Sequence, residues 1–302
     1  MAMGEKEIRI GDVSVSYMTE EDGIILTGGG RIGGCLDIPG EICGHPVKGI
    51  AKKAFLGQRT LRRVALPETC RYVEEWAFAQ CPNLEVFVCG NKKLMLGKGV
   101  FNQCTGLQHV YIGTQEDGTK EERDVAVLLA ALACRMEAEY LLVDQNRGSR
   151  EWFEKWDKRL ADFLAQADED GYMTLALCGE EDIMLNIAQF MSEKRKQKCS
   201  MCLIRLKHDS HLSPQMREVF VSYMKELTKG CASQEAWLAL FEEFAGDVSY
   251  YKVFADIGCV NADNMDAILL DMGQEFAQAK AFLLRYKEEH FEKVDVFAQF
   301  AL

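Results

Sequence analysis

Residues 50–112 repeat one pattern of apolar side chains every 23 residues, and this repeat constrains the fold more than any other feature. A period of about 20–29 residues with apolar residues spaced as Leu-x-x-Val-x-Leu is typical of units that each add one short strand to a stacked parallel sheet. The sequence therefore predicts adjacent parallel strands at residues 61–66, 84–89 and 107–112. The columns in register are Ile50, Val73 and Leu96; Ala54-Phe55, Ala77-Phe78 and Val100-Phe101; Leu61, Leu84 and Leu107; Val64, Phe87 and Val110; and Leu66, Cys89 and Ile112.

The fullest copy, residues 61–81, reads LRRVALPETCRYVEEWAFAQC. It resembles the BspA-type leucine-rich repeat, whose most distinctive marks are a proline after the strand and Ala-Phe-x-x-Cys in the return segment. The resemblance covers about residues 32–113 and implies a repeat stack of a family whose members are often surface adhesion or interaction proteins. The copies depart from the pattern at Gln58, which replaces the cysteine, at Val100, which replaces the alanine, and at Lys93, which lies in an apolar column.

An open stack of repeats buries apolar residues only between neighbouring units, so each end needs a cap. Ahead of the repeats, apolar residues alternate with polar ones from Ile8 to Tyr17 around the pair Gly11-Asp12. A glycine that supplies a positive φ favours a tight hairpin turn at this pair. We expect this β-hairpin to be the N-terminal cap.

The rest of the chain differs from the repeats in charge and in periodicity. Residues 1–114 carry 13 Lys and Arg against 12 Asp and Glu, whereas residues 115–302 carry 22 against 35. The polar sequence TQEDGTKEE that follows Gly113 is typical of a boundary. We therefore predict two domains, a leucine-rich-repeat module with its cap at residues 1–114 and an acidic α-helical module at residues 121–302.

Helix start and stop signals recur through the second module and predict an irregular array of short antiparallel helices, with a short extended piece near residues 172–177. The predicted helices are 150–167 after Ser149, 216–227 after Ser213-Pro214, 234–245 after Ser233, 250–257, 262–272 after Asn261, and 275–289. The module is similar to the helical segment that follows BspA-type repeats in many bacterial proteins. That resemblance implies no known activity, and it is carried by Glu151-Trp152, Trp156-Asp157, Asp168-x-Asp170-Gly171, Gly179–Asp182 and Leu283-Leu284-x-Tyr286.

Composition argues against two classes of partner. The longest uncharged apolar run is Val125–Cys134, about half of the roughly 20 residues that a membrane span needs. The net charge of −12 disfavours nucleic acid, which requires clustered Lys and Arg. The first residues contain no apolar block typical of a secretory signal, so we expect a cytoplasmic protein, or a surface or secreted one if a signal has been removed.

The chain has 12 cysteines, and we expect them to be mostly reduced because they lie among apolar neighbours and no signal precedes them. Cys199 and Cys202 with His208 and His211 form the sharpest candidate for a metal site. The alternative interpretation, which we favour, places both thiols on the apolar face of an amphipathic helix. We therefore predict no metal and no cofactor.

Two other motifs are weak. Gly28-x-Gly30-x-x-Gly33 matches the dinucleotide fingerprint, but the sequence that follows is typical of a strand and not of the helix that the fingerprint requires. Asp168-x-Asp170-Gly171 places Leu177 where a calcium loop needs a glutamate, so a turn is favoured. The five histidines are scattered, and no catalytic motif accompanies them.

The outward side chains of the predicted strands are the candidate binding residues: Arg63, Val86, Val88, His109 and Tyr111, together with Ala65. This stripe is more apolar than a solvated face normally is, so either a partner or the helical module covers it. We predict a protein that binds an unknown protein partner and has no catalytic activity, with the oligomeric state left open. The alternatives are an enzyme with a site in a cleft between the modules and a metal- or redox-responsive protein that uses Cys199 and Cys202.

Overall fold

The structure is a computed structural model that describes residues 5–136, 138–173, 186–228, 235–273 and 276–291. The chain packs into two compact units, Met1–Arg159 and Leu160–Leu302. The change from strands to helices falls earlier than the division between the units, between Ile112 and Lys120.

The first unit is built on the repeats. The strands of its described residues are β1 (Lys6–Ile10), β2 (Val13–Glu20), β3 (Gly23–Gly29), β4 (Cys35–Asp37), β5 (Glu41–Ile42), β6 (His45–Ile50), β7 (Arg63–Leu66), β8 (Tyr72–Val73), β9 (Val86–Cys89), β10 (Met95–Leu96) and β11 (His109–Ile112). They form two sheets. Sheet A has the order β1-β2-β3-β6-β8-β10, with β5 paired to β6, and sheet B has the order β11-β9-β7-β4.

Sheet B confirms the predicted parallel strands. Arg63 pairs with Val86, and Val86 pairs with His109, so consecutive strands keep the step of 23 residues. The return segments add something that the sequence analysis missed, because β8 and β10 pair in parallel in sheet A with the same step. Each unit therefore contributes to two sheets rather than one.

The core of the repeats lies between the two sheets and is lined by phenylalanines. Phe55 and Phe78 stack at 5.4 Å between ring centroids, and Phe87 packs edge-to-face against Phe78 at 5.8 Å and Phe101 at 5.0 Å. All four rings are at most 2% exposed. Aromatic pairs of this kind stabilise a core by about 0.5–1.5 kcal/mol beyond the burial of their area.

A row of thiol hydrogen bonds links the units. The Sγ of Cys81 donates to the Phe55 carbonyl at 3.3 Å, and the Sγ of Cys104 donates to the Phe78 carbonyl at 3.1 Å. Gln58 occupies the cysteine position of the first copy, and its side-chain amide instead bonds the backbone of Gly30 and Ile32. The departure at Gln58 thus attaches the first unit to the segment before β4.

Both ends of the stack are capped. The predicted hairpin is present as β1 and β2, with Gly11 at φ +58°, and it continues into β3, which pairs with β6. At the other end, helix α1 (Lys120–Arg135) packs on β11, and α2 (Glu139–Leu142) follows it. The Cys134 Sγ of α1 donates to the Cys104 carbonyl at 3.0 Å. The α1 helix therefore makes with the last unit the same thiol contact that the units make with each other.

The helices that follow are α3 (Arg150–Ala165), α4 (Ile187–Lys207), α5 (Pro214–Glu226), α6 (Glu235–Glu243), α7 (Val248–Asp256), α8 (Met265–Asp271) and α9 (Ala277–His290). In the second unit α4 packs against α5, α6 and α7, and α9 packs against α7 and α8. The caps at Ser149 and Ser213 are confirmed, since each hydroxyl accepts a backbone N–H of the following helix.

Two details of the helical prediction were wrong. The helix predicted from Ala262 begins at Met265, because the Asn261 side chain accepts the amides of Asp263 and Asn264 in a turn that precedes it. The extended piece expected near residues 172–177 starts instead as helix at Tyr172 and Met173, and residues 174–177 lie outside the described part of the chain. Ser233 and Gly230 lie outside it as well.

Candidate binding face

Sheet B presents two rows of outward side chains. The first row is Cys35, Arg63, Val86 and His109, and the second is Asp37, Ala65, Val88 and Tyr111. The side chains that alternate with them point inward, and Val64, Phe87 and Val110 are fully buried. All five predicted binding residues thus lie on one face, which we call the sheet B face.

The sequence analysis missed the β4 end of this face. Cys35 and Arg63 are paired but lie 28 residues apart, not 23, because the first unit is longer than the others. The register of 23 therefore does not place Cys35 and Asp37 beside the other outward residues. The alternation of Cys35, Leu36 and Asp37 around a buried leucine was the available signal.

Arg63 is the charged centre of the face. Its Nη1 donates to Asp37 Oδ1 at 2.7 Å, and its Nη2 donates to Glu116 Oε1 at 2.8 Å. The hydrogen bond from Glu116 is the main cause that raises the pKa of the Arg63 guanidinium. The Arg63 side chain is 35% exposed, so solvent reaches this ion pair.

Residues 114–119 run across part of the face, and we call them the covering segment. The segment leaves β11 after Ile112, at the opposite end of the strand from His109, whereas its Glu116 reaches Arg63 on β7. Because β9 lies between β11 and β7, the segment passes in front of the second row to reach the first. Tyr111 is accordingly only 4% exposed, and its burial raises the pKa of its hydroxyl, with a further contribution from Glu116.

The remainder of the face is apolar and aromatic. Val86, Val88 and Ala65 are half-buried, and the rings of His109 and Tyr111 stack at 5.7 Å with an interplanar angle of 5°. Stacked rings beside aliphatic side chains and one arginine are a composition that interface cores favour. The face is therefore suited to contact a protein segment.

The proposed metal ligands lie in a different setting. Cys199 and Cys202 are fully buried on α4, as the helical interpretation predicts, and burial raises the pKa of both thiols. The helix is not amphipathic there, because residues 198–206 are all buried, including Lys198 and Arg205. Within the described residues, no group of three or more His, Cys, Asp or Glu side chains has the geometry of a metal site.

The remaining motifs have structural roles. Gly28 and Gly29 end β3, and residues 30–34 lead into β4 without a helix, so the glycine-rich turn is confirmed. Asp168 accepts hydrogen bonds from Arg195 Nε at 2.8 Å and Lys198 Nζ at 2.7 Å. Arg195 also donates to Glu235 at 2.8 Å, and these groups join α4 to α6 and to the segment after α3.

A cavity of about 420 Å³ lies in the first unit, between the end of β11, the start of α1 and the loop before α3. Arg147 lines it, and burial lowers the pKa of its guanidinium. This guanidinium donates to the carbonyls of Leu142, Lys92 and Leu94. Its hydrogen bonds thus hold the loop of the last repeat against the capping helices.

Residues 40–121 match the family model of the "BspA type Leucine rich repeat region (6 copies)". The N-terminal region is a BspA-type repeat region. The resemblance seen in the sequence is thereby confirmed for this region, and the rest of the chain is helical from Lys120 onward in its described residues. No curated protein matches the sequence.

Solved structures of bacterial leucine-rich-repeat proteins are similar to the chain over about a third of its length. The T. pallidum leucine-rich-repeat protein is 32% identical, with 31% of this chain and 45% of that chain covered and a TM-score of 0.30. A leucine-rich-repeat protein from Bacteroides capillosus is 22% identical, with coverages of 37% and 88% and a TM-score of 0.31. A leucine-rich cell surface protein from Faecalibacterium prausnitzii is 18% identical, with coverages of 36% and 31% and a TM-score of 0.31.

The chain spans less than half the length of the T. pallidum protein that it matches. Across the described residues, every helix is too short or too polar to cross a bilayer.

Proposed function

We propose that this chain binds a protein partner through the sheet B face of its repeat region and acts by binding rather than by catalysis. The observation that carries the proposal is the composition of the face: half-buried valines, a stacked His109–Tyr111 pair and an arginine, placed side by side by the parallel register. Repeat stacks offer such extended faces to partners because their cores are satisfied between neighbouring units.

The contact residues in this proposal are Arg63, Val86, Val88, His109 and Tyr111. The partner supplies apolar side chains for the valines and a carboxylate for Arg63, because guanidinium groups favour bidentate carboxylate partners. The half-buried state of the valines matters, since a partner that covers them removes apolar surface from water at about 25 cal/mol per Å².

The test uses one double variant and one matched control. Partners retained by the wild-type chain are identified and purified, and their affinity is then measured directly for each form. We expect Val86→Asp with His109→Asp to weaken binding at least about 30-fold, the loss expected for a desolvated contact at an interface centre. Thr105→Asp with Gln108→Asp adds the same two charges at exposed positions off the face and leaves the affinity unchanged.

Melting temperature and helical content separate binding from folding. Both double variants are expected to melt close to the wild type. Partner affinity that survives Val86→Asp with His109→Asp contradicts the proposal. A large fall in the melting temperature of that variant also contradicts it, because the face would then be an internal interface.

A further inference from the structure

We propose that the covering segment, residues 114–119, is a built-in occupant of the sheet B face, and that the partner is an acidic protein segment that takes its place. The inference rests on the binding function proposed above, and it adds the chemistry of the partner and the control of the site. The juxtaposition that carries it is Glu116, on the chain after β11, bonded to Arg63 on β7 across the intervening strand β9.

The two carboxylates at Arg63 differ in how they are held. Asp37 lies in sheet B itself, in the register that pairs Cys35 with Arg63, so its position is set by the strand. Glu116 comes from a turn-rich segment with the sequence TQEDGT, and its side chain is 50% exposed. Glu116 is therefore the carboxylate that a partner can replace without breaking the sheet.

The bond to Glu116 is suited to exchange. Ion pairs that water reaches contribute little to stability, so the covering segment is held weakly by this contact alone. Its advantage over an outside carboxylate is its high effective concentration, which is in the millimolar range for short tethers. A partner segment that adds contacts with Val86 and Val88 overcomes that advantage.

The charge of the site selects the partner. Any segment that displaces Glu116 leaves the Arg63 guanidinium with one carboxylate, Asp37, at 2.7 Å and an open donor edge. An acidic side chain restores the bond, whereas a basic segment would place a like charge beside Arg63. The covering segment, which carries Glu116 and Asp117, is thus a model of the ligand within the chain itself.

The experiment uses the full chain and a synthetic peptide with the sequence of residues 113–119, GTQEDGT. Binding is followed by the NMR signals of the Arg63 Nε–H and the His109 ring. We expect Glu116→Gln to bind the peptide about threefold to fivefold more tightly than the wild type, as the loss of an exposed ion pair allows. Asp117→Asn removes the same charge one residue away and is expected to behave like the wild type.

Two further measurements locate the site. Arg63→Gln in the Glu116→Gln background is expected to abolish the NMR shifts, and so is a peptide in which Gln replaces its Glu. Equal affinity of the peptide for the wild type and Glu116→Gln would overturn the proposal, because the face would then not be occupied. Absence of binding to both forms would overturn it as well, because Arg63 would then not accept an acidic segment.

Failure of this inference is distinguishable from failure of the proposed function. Partner binding that is lost in Val86→Asp with His109→Asp while peptide affinity ignores Glu116 would retain the binding face and remove its occupant. Peptide binding that depends on Glu116 while the partner ignores the double variant would retain the occupant and reassign the partner to another surface.

Discussion

The repeat region and the second unit solve the same packing problem with different chemistry. The repeat region places one residue type at one position in every copy, so its core is a row of phenylalanines between two sheets. The second unit buries charges instead, with Lys198 at 1% exposure and Arg205 fully buried on α4. A core made from repeated contacts is visible as a period in the sequence, whereas a core made from unique ion pairs is not.

The largest effect that tests this contrast is in the repeat core. Phe78→Ala removes a ring that contacts both Phe55 and Phe87, and we expect it to lower the free energy of unfolding by about 3–5 kcal/mol. Leu56→Ala, at a 40% exposed position of the preceding unit, is the matched control and should cost less than about 1 kcal/mol. Chemical denaturation measures both, and equal losses would show that the phenylalanine row is not the core.

The second unit should respond to acid through Asp168. Burial by itself would raise the pKa of this carboxyl, but hydrogen bonds from Lys198 and Arg195 outweigh it and hold the pKa below its ordinary value. The folded state thus favours the charged form, so its stabilising contribution is complete above the unfolded pKa of about 4 and is lost as the pH falls below it.

Asp168→Asn is expected to lower the free energy of unfolding at pH 7 by about 2 kcal/mol, because the buried Lys198 ammonium loses its carboxylate. The difference from the wild type should shrink as the pH approaches 3. Denaturant titrations at several pH values measure this, with the exposed Asp162→Asn as control. A difference that stays constant with pH would show that the Asp168 charge does not stabilise the fold.

The smallest effect concerns the cysteines. Cys35 is exposed on sheet B, whereas Cys202 is fully buried and its raised pKa keeps the thiol protonated and unreactive at neutral pH. We expect Cys35→Ser to remove one fast-reacting thiol and Cys202→Ser to remove none. Stoichiometric zinc that is lost in Cys202→Ser would show instead that Cys202 is a ligand.

Most of the repeat region was predictable because its contacts are translations of one another. Val64, Phe87 and Val110 share one environment, so their spacing alone places them inward and Val86 and His109 outward. The second sheet escaped prediction because β8 and β10 are two residues long, too short for an alternating pattern.

The rest of the face and of the helical core depends on contacts between positions that no period relates. Glu116 meets Arg63 from 53 residues away, through a turn that the sequence shows only as polar. Lys198 and Asp168 are 30 residues apart on elements of unrelated length. Start and stop signals located the helices, but they carry no information about which charged groups meet in the interior.

The thiol contact between α1 and the last unit makes the length of the stack adjustable. Cys134 recognises a backbone carbonyl of the last unit, which every unit can offer, rather than a side chain peculiar to it. A duplicate of residues 84–106 inserted after residue 106 would therefore present the same end to the helical cap, one strand further along. Such a chain would carry a wider recognition surface with two additional outward positions on sheet B. Variation in the number of copies is thus a route by which this scaffold can change what it binds without a new fold.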